Sequence, residues 1–294
     1  MRNTKRLLVA FLLLAGLILL LANTRLGVFL VFDVVGGSTD NLDVEPDNGP
    51  LLPSHSLVAD SSYILPELVE QPSGIVFDTD TIYVSTDQAE LFTFDLTFNL
   101  RESRADLLSG LLILKQGSVE AITIVDGQVL GIGEIGVIGV WENAADGWVR
   151  QEDIVLPAAL AEEEFTGICH NSAGLWATTS EELGIFRLED GSYHPMNLAA
   201  FTKTAGDVSS LLISGIDCDD GFFYLITENY TSIIVLDETY SVIEIVGIDA
   251  GEASDIAVHD GIAYVTVDHN YFDPRPPVSL YRLSQPGAVN DESR

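Results

Sequence analysis

The sequence predicts an all-β protein, a β-propeller built from five copies of one repeated unit. The clearest copy spans residues 215–237, where three short apolar runs are separated by a polar turn and an acidic break. The same pattern opens at five isoleucines, spaced 47, 46, 48 and 40 residues apart: Ile75, Ile122, Ile168, Ile216 and Ile256. A β-rich period of this length is typical of propeller blades.

Each copy predicts three strands. The runs are short, rich in Val, Ile, Thr, Phe and Tyr, and bounded by Gly, Asp and Asn, which is the pattern of strands joined by hairpins. A β-sandwich is the alternative architecture, and six blades are the alternative to five. The regular spacing of the copies favours the five-bladed propeller.

The N-terminal residues predict a membrane segment. Arg2, Lys5 and Arg6 precede an apolar run at residues 7–22, whose length lies between a signal-peptide core and a full membrane span. An uncleaved signal anchor, that is, a transmembrane helix within residues 1–25, is favoured over a cleaved signal peptide. The basic flank then stays in the cytoplasm, and the rest of a single-pass protein lies on the periplasmic or extracellular side of the cell membrane.

The remaining chain divides into a linker, a propeller and a tail. Residues 26–56 form an apolar stub and a flexible linker rich in Gly, Pro, Asp and Asn; residues 57–285 form the propeller and 286–294 the tail. The fifth copy has no apolar run after its third strand, whereas residues 57–70 regain strand-like character. We therefore expect this N-terminal run to supply the outer strand of the last blade and to close the ring.

The excess of acidic over basic residues limits the kinds of molecule that the protein can bind. The chain has 45 acidic and 13 basic residues and a net charge of -32. Such a surface repels phosphate backbones, so we expect no nucleic-acid partner.

Acidic residues recur where the second strand of each copy ends: Asp87, Glu134, Glu181, Glu228 and Asp268. Glu120 and Asp255 come just before inner strands, so all seven carboxylates should lie on one face, around one mouth of the channel. Clustered carboxylates recruit cations, and hard oxygen ligands suit calcium. We therefore predict calcium or a cationic ligand at this mouth. The alternative is that these acids simply end strands in solvated turns.

A second candidate site is the loop at residues 268–277, the longest insertion between second and third strands. It carries four polar or aromatic side chains, His269, Tyr271, Asp273 and Arg275. Loops of this kind over a rigid scaffold are common ligand-binding elements. The alternative is a proline-stiffened surface loop.

The two cysteines lie on the inner strands of adjacent copies. Cys169 and Cys218 come one and two residues after their isoleucines, so alternation along a strand directs them toward each other between blades 3 and 4. An exported protein could oxidise them to a disulfide. We favour the other state, two separately buried thiols.

The strand openers PSGI, SVEAI, FTGI, ISGI and ASDI and the strand endings STD, GIGE and ITEN resemble the SdiA-regulated, YjiK-like family of exported β-propellers, which is related to the esterase-like phytase group. The likeness spans residues 57–283. It implies a propeller outside the cytoplasm or on the membrane, with calcium as the implied cofactor. The chain departs from the pattern at Ala121 and Asp255.

These observations predict a membrane-anchored binding or scaffold module whose partner is a small cationic ligand or another protein. The alternative is a metal-dependent hydrolase of the esterase-like phytase or lactonase type. The sequence has no G-x-S-x-G nucleophile motif and no histidine pair at metal-ligand spacing, and few Lys and Arg residues could hold a phosphate substrate. Catalytic residues are therefore left unassigned.

Overall fold

A computed structural model of the chain describes residues 48–86, 90–104, 119–133, 137–144, 147–203, 208–267 and 277–284. Within these ranges the chain forms five β-sheets of four or five strands each. Two 3-10 helices, Ala158–Leu160 and Ala199–Phe201, lie in connections between blades.

The first two strands precede the repeats: β1 is His55–Ser56 and β2 is Ser61–Ile64. Blade 1 contains β3 (Pro72–Asp78), β4 (Thr81–Thr86), β5 (Leu91–Asp95) and β6 (Leu100–Arg104). Blade 2 contains β7 (Ala121–Val125), β8 (Gln128–Ile132), β9 (Val137–Ala144), β10 (Gly147–Arg150) and β11 (Ile154–Val155). In blade 2, β10 and β11 both pair with β9.

Blade 3 contains β12 (Phe165–Asn171), β13 (Gly174–Thr179), β14 (Gly184–Arg187) and β15 (Ser192–Pro195). Blade 4 contains β16 (Ile213–Asp219), β17 (Phe222–Thr227), β18 (Ser232–Leu236) and β19 (Val242–Gly247). Blade 5 contains β20 (Ala253–His259), β21 (Ile262–Val267) and β22 (Pro277–Arg282). Within each blade, successive strands pair antiparallel.

The inner strands β3, β7, β12, β16 and β20 form a closed ring, because each contacts the next and β20 contacts β3. The five-bladed propeller is therefore confirmed. Each inner hairpin turns through a two-residue loop, and in blades 2, 4 and 5 that loop is Asp-Gly with positive φ at both residues. These are the dihedrals of a type I′ turn, which suits the twist of paired strands.

The N-terminal run closes the ring as predicted. Strand β2 pairs antiparallel with β22, with Tyr63 opposite Val278, and supplies the outer strand of blade 5. Strand β1 was not predicted; it adds a parallel strand to β19, the outer strand of blade 4, with His55 opposite Val246. The two strands together cover the outer edges of blades 4 and 5.

Folded structure begins inside the segment that the sequence assigned to the linker. Leu51 has no exposed surface and packs in the cluster between blades 3 and 4. Asn48 donates hydrogen bonds to the Thr231 carbonyl (2.8 Å) and to Ser232 Oγ (3.0 Å). Residues 48–56 are thus held against the propeller by burial and hydrogen bonds.

The hydrophobic core is divided into clusters that lie between neighbouring blades, because side chains alternate between the two faces of each sheet. Between blades 3 and 4, Cys169 and Cys218 form a disulfide with a Cα–Cα distance of 5.6 Å. The expectation of two separate thiols is therefore wrong. The Trp176 and Phe223 rings pack edge to face between the same blades, with centroids 5.3 Å apart.

The predicted transmembrane helix lies outside the described residues, as does the tail. In the part of the chain that the structure describes, no helix has the length and hydropathy needed to cross a bilayer.

Candidate functional site at the channel mouth

One mouth of the central channel forms a cavity of about 170 Å³. All five blades contribute the residue that lies two positions before the isoleucine that marks each repeat, which is Ile216 in blade 4. Glutamates 228 and 252 are exposed at the rim, whereas Glu120 is half-buried. The lining residues are Pro72, Ser73, Glu120, Thr166, Ser214, Glu228, Glu252, Ala253 and Ser254.

Four of the five blades place a hydroxyl at this position, and each hydroxyl donates a hydrogen bond to a backbone carbonyl of the next blade. The bonds are Ser73 to Val119 (2.6 Å), Thr166 to Ile213 (2.8 Å), Ser214 to Ala253 (2.7 Å) and Ser254 to Pro72 (2.7 Å). We call these residues the hydroxyl ring. Since every carbonyl can only accept, each hydroxyl proton is used in joining two blades.

Blade 2 breaks the hydroxyl ring. It carries Glu120 where the other blades have Ser or Thr, and an ionised carboxylate has no proton to donate. The acceptor at the equivalent position of blade 3 is the carbonyl of Phe165. The junction of blades 2 and 3 therefore lacks the hydroxyl-to-carbonyl hydrogen bond that joins the other four pairs of neighbouring blades.

In blades 1, 3 and 4 the next residue of the inner strand is a glycine, Gly74, Gly167 or Gly215, which approaches the neighbouring blade closely. A Cβ at Gly74 would lie 2.9 Å from the Ile122 nitrogen, and one at Gly167 would lie 2.8 Å from the Ile216 nitrogen. Such contacts force a shift of the backbone, so the close approach of these blades requires glycine.

Blade 5 has Asp255 instead of glycine. Its Oδ2 accepts a hydrogen bond from the Ile75 nitrogen of blade 1 (2.8 Å), and its Oδ1 lies over Gly215 of blade 4. Asp255 is only 2% exposed, and Oδ1 has no hydrogen-bond partner. Burial raises the pKa of Asp255 well above its usual range, because the charged form is desolvated. Ser214 and Ser254, which precede these two residues, line the cavity, whereas Asp255 is not among its lining residues.

A further buried acid lies between blades 4 and 5. Asp217 accepts a hydrogen bond from the Val258 nitrogen of blade 5 (2.5 Å). Burial raises the pKa of Asp217 to about 6, and the neighbouring Asp219 carboxylate adds to the shift. The sequence analysis did not single out this residue. Its place one residue after Ile216, equivalent to that of Cys169 in blade 3, indicates that it faces the next blade.

The structure brings together part of the predicted acidic ring. Glu120 and Glu228 line the cavity, whereas Asp255 is buried between blades and is not among the lining residues. Glu181 is exposed and is not among the lining residues. Glu252, which the sequence analysis missed, joins the site; it comes just before the fifth strand opener. Three predicted ligands lie outside the described residues: Asp87, Glu134 and Asp268. The candidate loop with His269, Tyr271, Asp273 and Arg275 lies outside them as well.

The arrangement can attract a cation, but it does not prepare a serine for nucleophilic attack. The protons of Ser73, Ser214 and Ser254 are donated to backbone carbonyls rather than to a base. Within the described ranges, no three His, Cys, Asp or Glu side chains are grouped closely enough to hold a metal ion.

Comparisons with known proteins bear on the fold. No protein-family model matches the chain, and no curated protein sequence matches it. Among solved structures, a glutaminyl cyclase of Myxococcus xanthus is similar, with a TM-score of 0.54 and 14% identity over 81% of this chain and 100% of that one. The chain is a β-propeller. A putative oxidoreductase (glucose dehydrogenase) of Thermus thermophilus has a TM-score of 0.50 and 9% identity, and the match covers 75% of this chain and 99% of that one.

A calcium-binding protein of Agrobacterium tumefaciens, regucalcin, has a TM-score of 0.49 and 11% identity, covering 79% of this chain and 98% of its own. The likeness to the glutaminyl cyclase and to the putative oxidoreductase, at 14% and 9% identity, shows the fold and not the activity.

Proposed function

We propose that the chain is an exported, membrane-anchored β-propeller that binds a cation at the mouth of its central channel. The observation that carries this proposal is the cavity lined by Glu120, Glu228 and Glu252, with no Lys or Arg among the described residues that line it. The strand openers quoted above support membership of the SdiA-regulated family.

The electrostatics favour a positive ligand at this position. A carboxylate about 5 Å from a bound unit charge contributes on the order of 1–3 kcal/mol at the effective dielectric of a protein surface. Three such groups at the mouth of a narrow channel focus the field on one point. The net charge of -32 raises the local concentration of cations and repels anions over the whole molecule.

The disulfide supports export. Both cysteines of the chain take part in it, and disulfides persist in oxidising compartments outside the cytoplasm. The basic flank and the apolar run at residues 7–22 supply a signal anchor that would leave the propeller on the periplasmic or extracellular side. Together these features support a single-pass membrane protein with an exported propeller.

Calcium is one of the cations to test, because carboxylates and hydroxyls are hard oxygen ligands. The hydrolase alternative is not supported to the same degree. No described side chain at the mouth is placed as an activated nucleophile, since the serine hydroxyls there stabilise contacts between blades. The function that we propose is therefore ligand binding rather than catalysis.

The test is isothermal titration calorimetry on the full-length chain in detergent, with calcium chloride and with small ammonium salts. We expect saturable binding of at least one cation, and a loss of at least tenfold in affinity for Glu120→Gln and Glu228→Gln. Glu162→Gln is the matched control, since it removes one charge from an exposed side chain that does not line the cavity. If no cation gives saturable heat, or if the control lowers affinity as much, the proposal is wrong.

A further inference from the structure

We propose that the protein binds a neutral saccharide in a second cavity, which lies between blades 1 and 2 and has a volume of about 380 Å³. This cavity shares no described lining residue with the channel mouth, so the proposal adds a site to the cation-binding function. It follows from the two aromatic rings in the cavity wall, the polar side chains around them and the balance of charge.

Cross-strand pairing builds the wall of blade 1. Tyr83 on β4 lies opposite Thr93 on β5, and Thr93 lies opposite Glu102 on β6, so these three side chains form a row on one face of the sheet. The register shifts between Thr93 and Phe94, which leaves Arg101 as an additional residue in β6. Such a bulge redirects a side chain, and Arg101 and Glu102, although consecutive, both line the cavity.

Blade 2 supplies the facing wall. Asn143 on β9 lies opposite Trp148 on β10, so the two side chains share a face of their sheet. The Trp148 ring meets the Tyr83 ring of blade 1 nearly at a right angle, with centroids 6.1 Å apart. Both rings pack against the buried cluster between blades 1 and 2, and both line the cavity with part of their surface still exposed. The core therefore holds the two rings in place before a ligand arrives.

Fixed aromatic rings beside polar groups suit a sugar ring. A pyranose carries C–H groups on its faces and hydroxyls around its edge, so it can pack a face on an aromatic ring while its edge forms hydrogen bonds. The volume of about 380 Å³ falls within the range of roughly 300–1,000 Å³ that is typical of small-molecule sites. Shape and aromatic content thus favour a saccharide.

The polar side chains of the wall can both donate and accept. Asn143 is exposed, and its amide has two donor hydrogens and an acceptor oxygen. Burial raises the pKa of Tyr83, and the Asp78 carboxylate adds to the shift, so the phenol keeps its proton and can donate it. Sugar hydroxyls also donate and accept, and they can therefore pair with groups of either kind.

The charges at the cavity favour a neutral ligand. Arg101 donates a hydrogen bond to Thr81 Oγ1 (3.0 Å) and forms an ion pair with Asp80 at 3.5 Å. Its charge is thus already balanced, and Glu102 lines the same wall. An anion would meet these two carboxylates and the net charge of -32, whereas a cation would meet the guanidinium. A neutral saccharide avoids both repulsions.

The experiment measures the binding of neutral disaccharides to the full-length protein by calorimetry, in a detergent whose head group is not a sugar. The probes are cellobiose, lactose and maltose. Sorbitol is the matched probe, because it has hydroxyls and no ring. We expect at least one disaccharide to bind saturably and at least about tenfold more tightly than sorbitol. Absence of saturable binding by all three disaccharides, or equal affinity for sorbitol, would overturn the inference and leave the cation-binding function intact.

Two substitutions locate the site. Trp148→Ala removes the larger ring and should lower the disaccharide affinity at least about tenfold, while Asn143→Ala removes an exposed amide and should lower it about threefold or more. Glu142→Ala is the matched control, because Glu142 is the exposed neighbour on β9 and is not among the lining residues. A melting curve shows whether each variant is folded. Unchanged affinity in folded Asn143→Ala, or an equal loss in Glu142→Ala, contradicts the site even if Trp148→Ala does not fold.

Discussion

Asp217→Asn should stabilise the propeller, and more so at high pH. The carboxyl of Asp217 lies between blades 4 and 5, where burial and the Asp219 carboxylate raise its pKa from 3.8 to about 6. The other titratable groups that interact with it are Asp255 and Tyr224. A raised carboxyl pKa means that ionisation is harder in the folded state than in the unfolded chain.

The sign and size follow from proton linkage. The contribution of neutral Asp217 to stability is fully present below pH 3.8 and is lost as the pH rises through about 6. Each pKa unit corresponds to about 1.4 kcal/mol, so the full cost of ionisation is at most about 3 kcal/mol at pH 8 and about half of that at pH 5. Since the side chain keeps some contact with solvent, we treat these values as upper limits.

An asparagine at this position removes the charge and keeps an oxygen that can accept from the Val258 nitrogen. Urea unfolding at pH 5 and pH 8 should therefore show a gain in unfolding free energy that grows toward pH 8. Both pH values lie above the isoelectric point of about 4.1 that the sequence gives. Glu162→Gln removes the same charge from an exposed position and should change stability by less than about 0.5 kcal/mol at either pH. If Asp217→Asn lowers stability at pH 8, or if its gain is the same at both pH values, the buried-carboxyl explanation is refuted.

Three further predictions concern stability, each measured by urea unfolding. Replacing both Cys169 and Cys218 by alanine should lower the free energy of unfolding by up to about 4 kcal/mol, because the disulfide spans 49 residues. A reductant should destabilise the unaltered protein by the same amount. A free energy of unfolding that does not change with the reductant would contradict the disulfide. Leu51→Ala should lower the free energy of unfolding by about 2–5 kcal/mol, whereas Leu52→Ala, at a side chain that is 46% exposed, should lower it far less. Equal effects of the two substitutions would show that the Leu51 side chain is not packed in the core. Ser254→Ala should cost about 1–3 kcal/mol by leaving a carbonyl of blade 1 without its donor, and a neutral result would contradict the hydroxyl ring.

The hydroxyl ring also explains why the site lies where it does. Four junctions of the inner ring use a hydroxyl to join neighbouring blades, and only blade 2 gives up that bond by having Glu120. Glu120 then shares the lining of the cavity with two further glutamates, Glu228 and Glu252.

The sequence by itself determined the repeat, the number of blades and the direction in which side chains point. These properties are local: a strand alternates its side chains at every residue, and a two-residue Asp-Gly loop fixes how the next strand returns. For this reason the closure of blade 5 by residues 61–64 and the meeting of the two cysteines between blades 3 and 4 could be predicted from position within the repeat. Whether the two thiols bond depends on a distance, which the repeat does not specify.

Only the tertiary structure decided the chemistry of the channel. Asp255 accepts its hydrogen bond from a residue 180 positions away, and this contact exists only because the last blade meets the first. The same holds for the parallel strand β1 on blade 4 and for the buried environment that raises the pKa of Asp217. Burial and contact between blades are properties of the assembled ring, whereas the sequence pattern of one blade records only that blade. Acids with similar sequence contexts, such as Glu181 and Glu228, therefore differ in whether they reach the cavity.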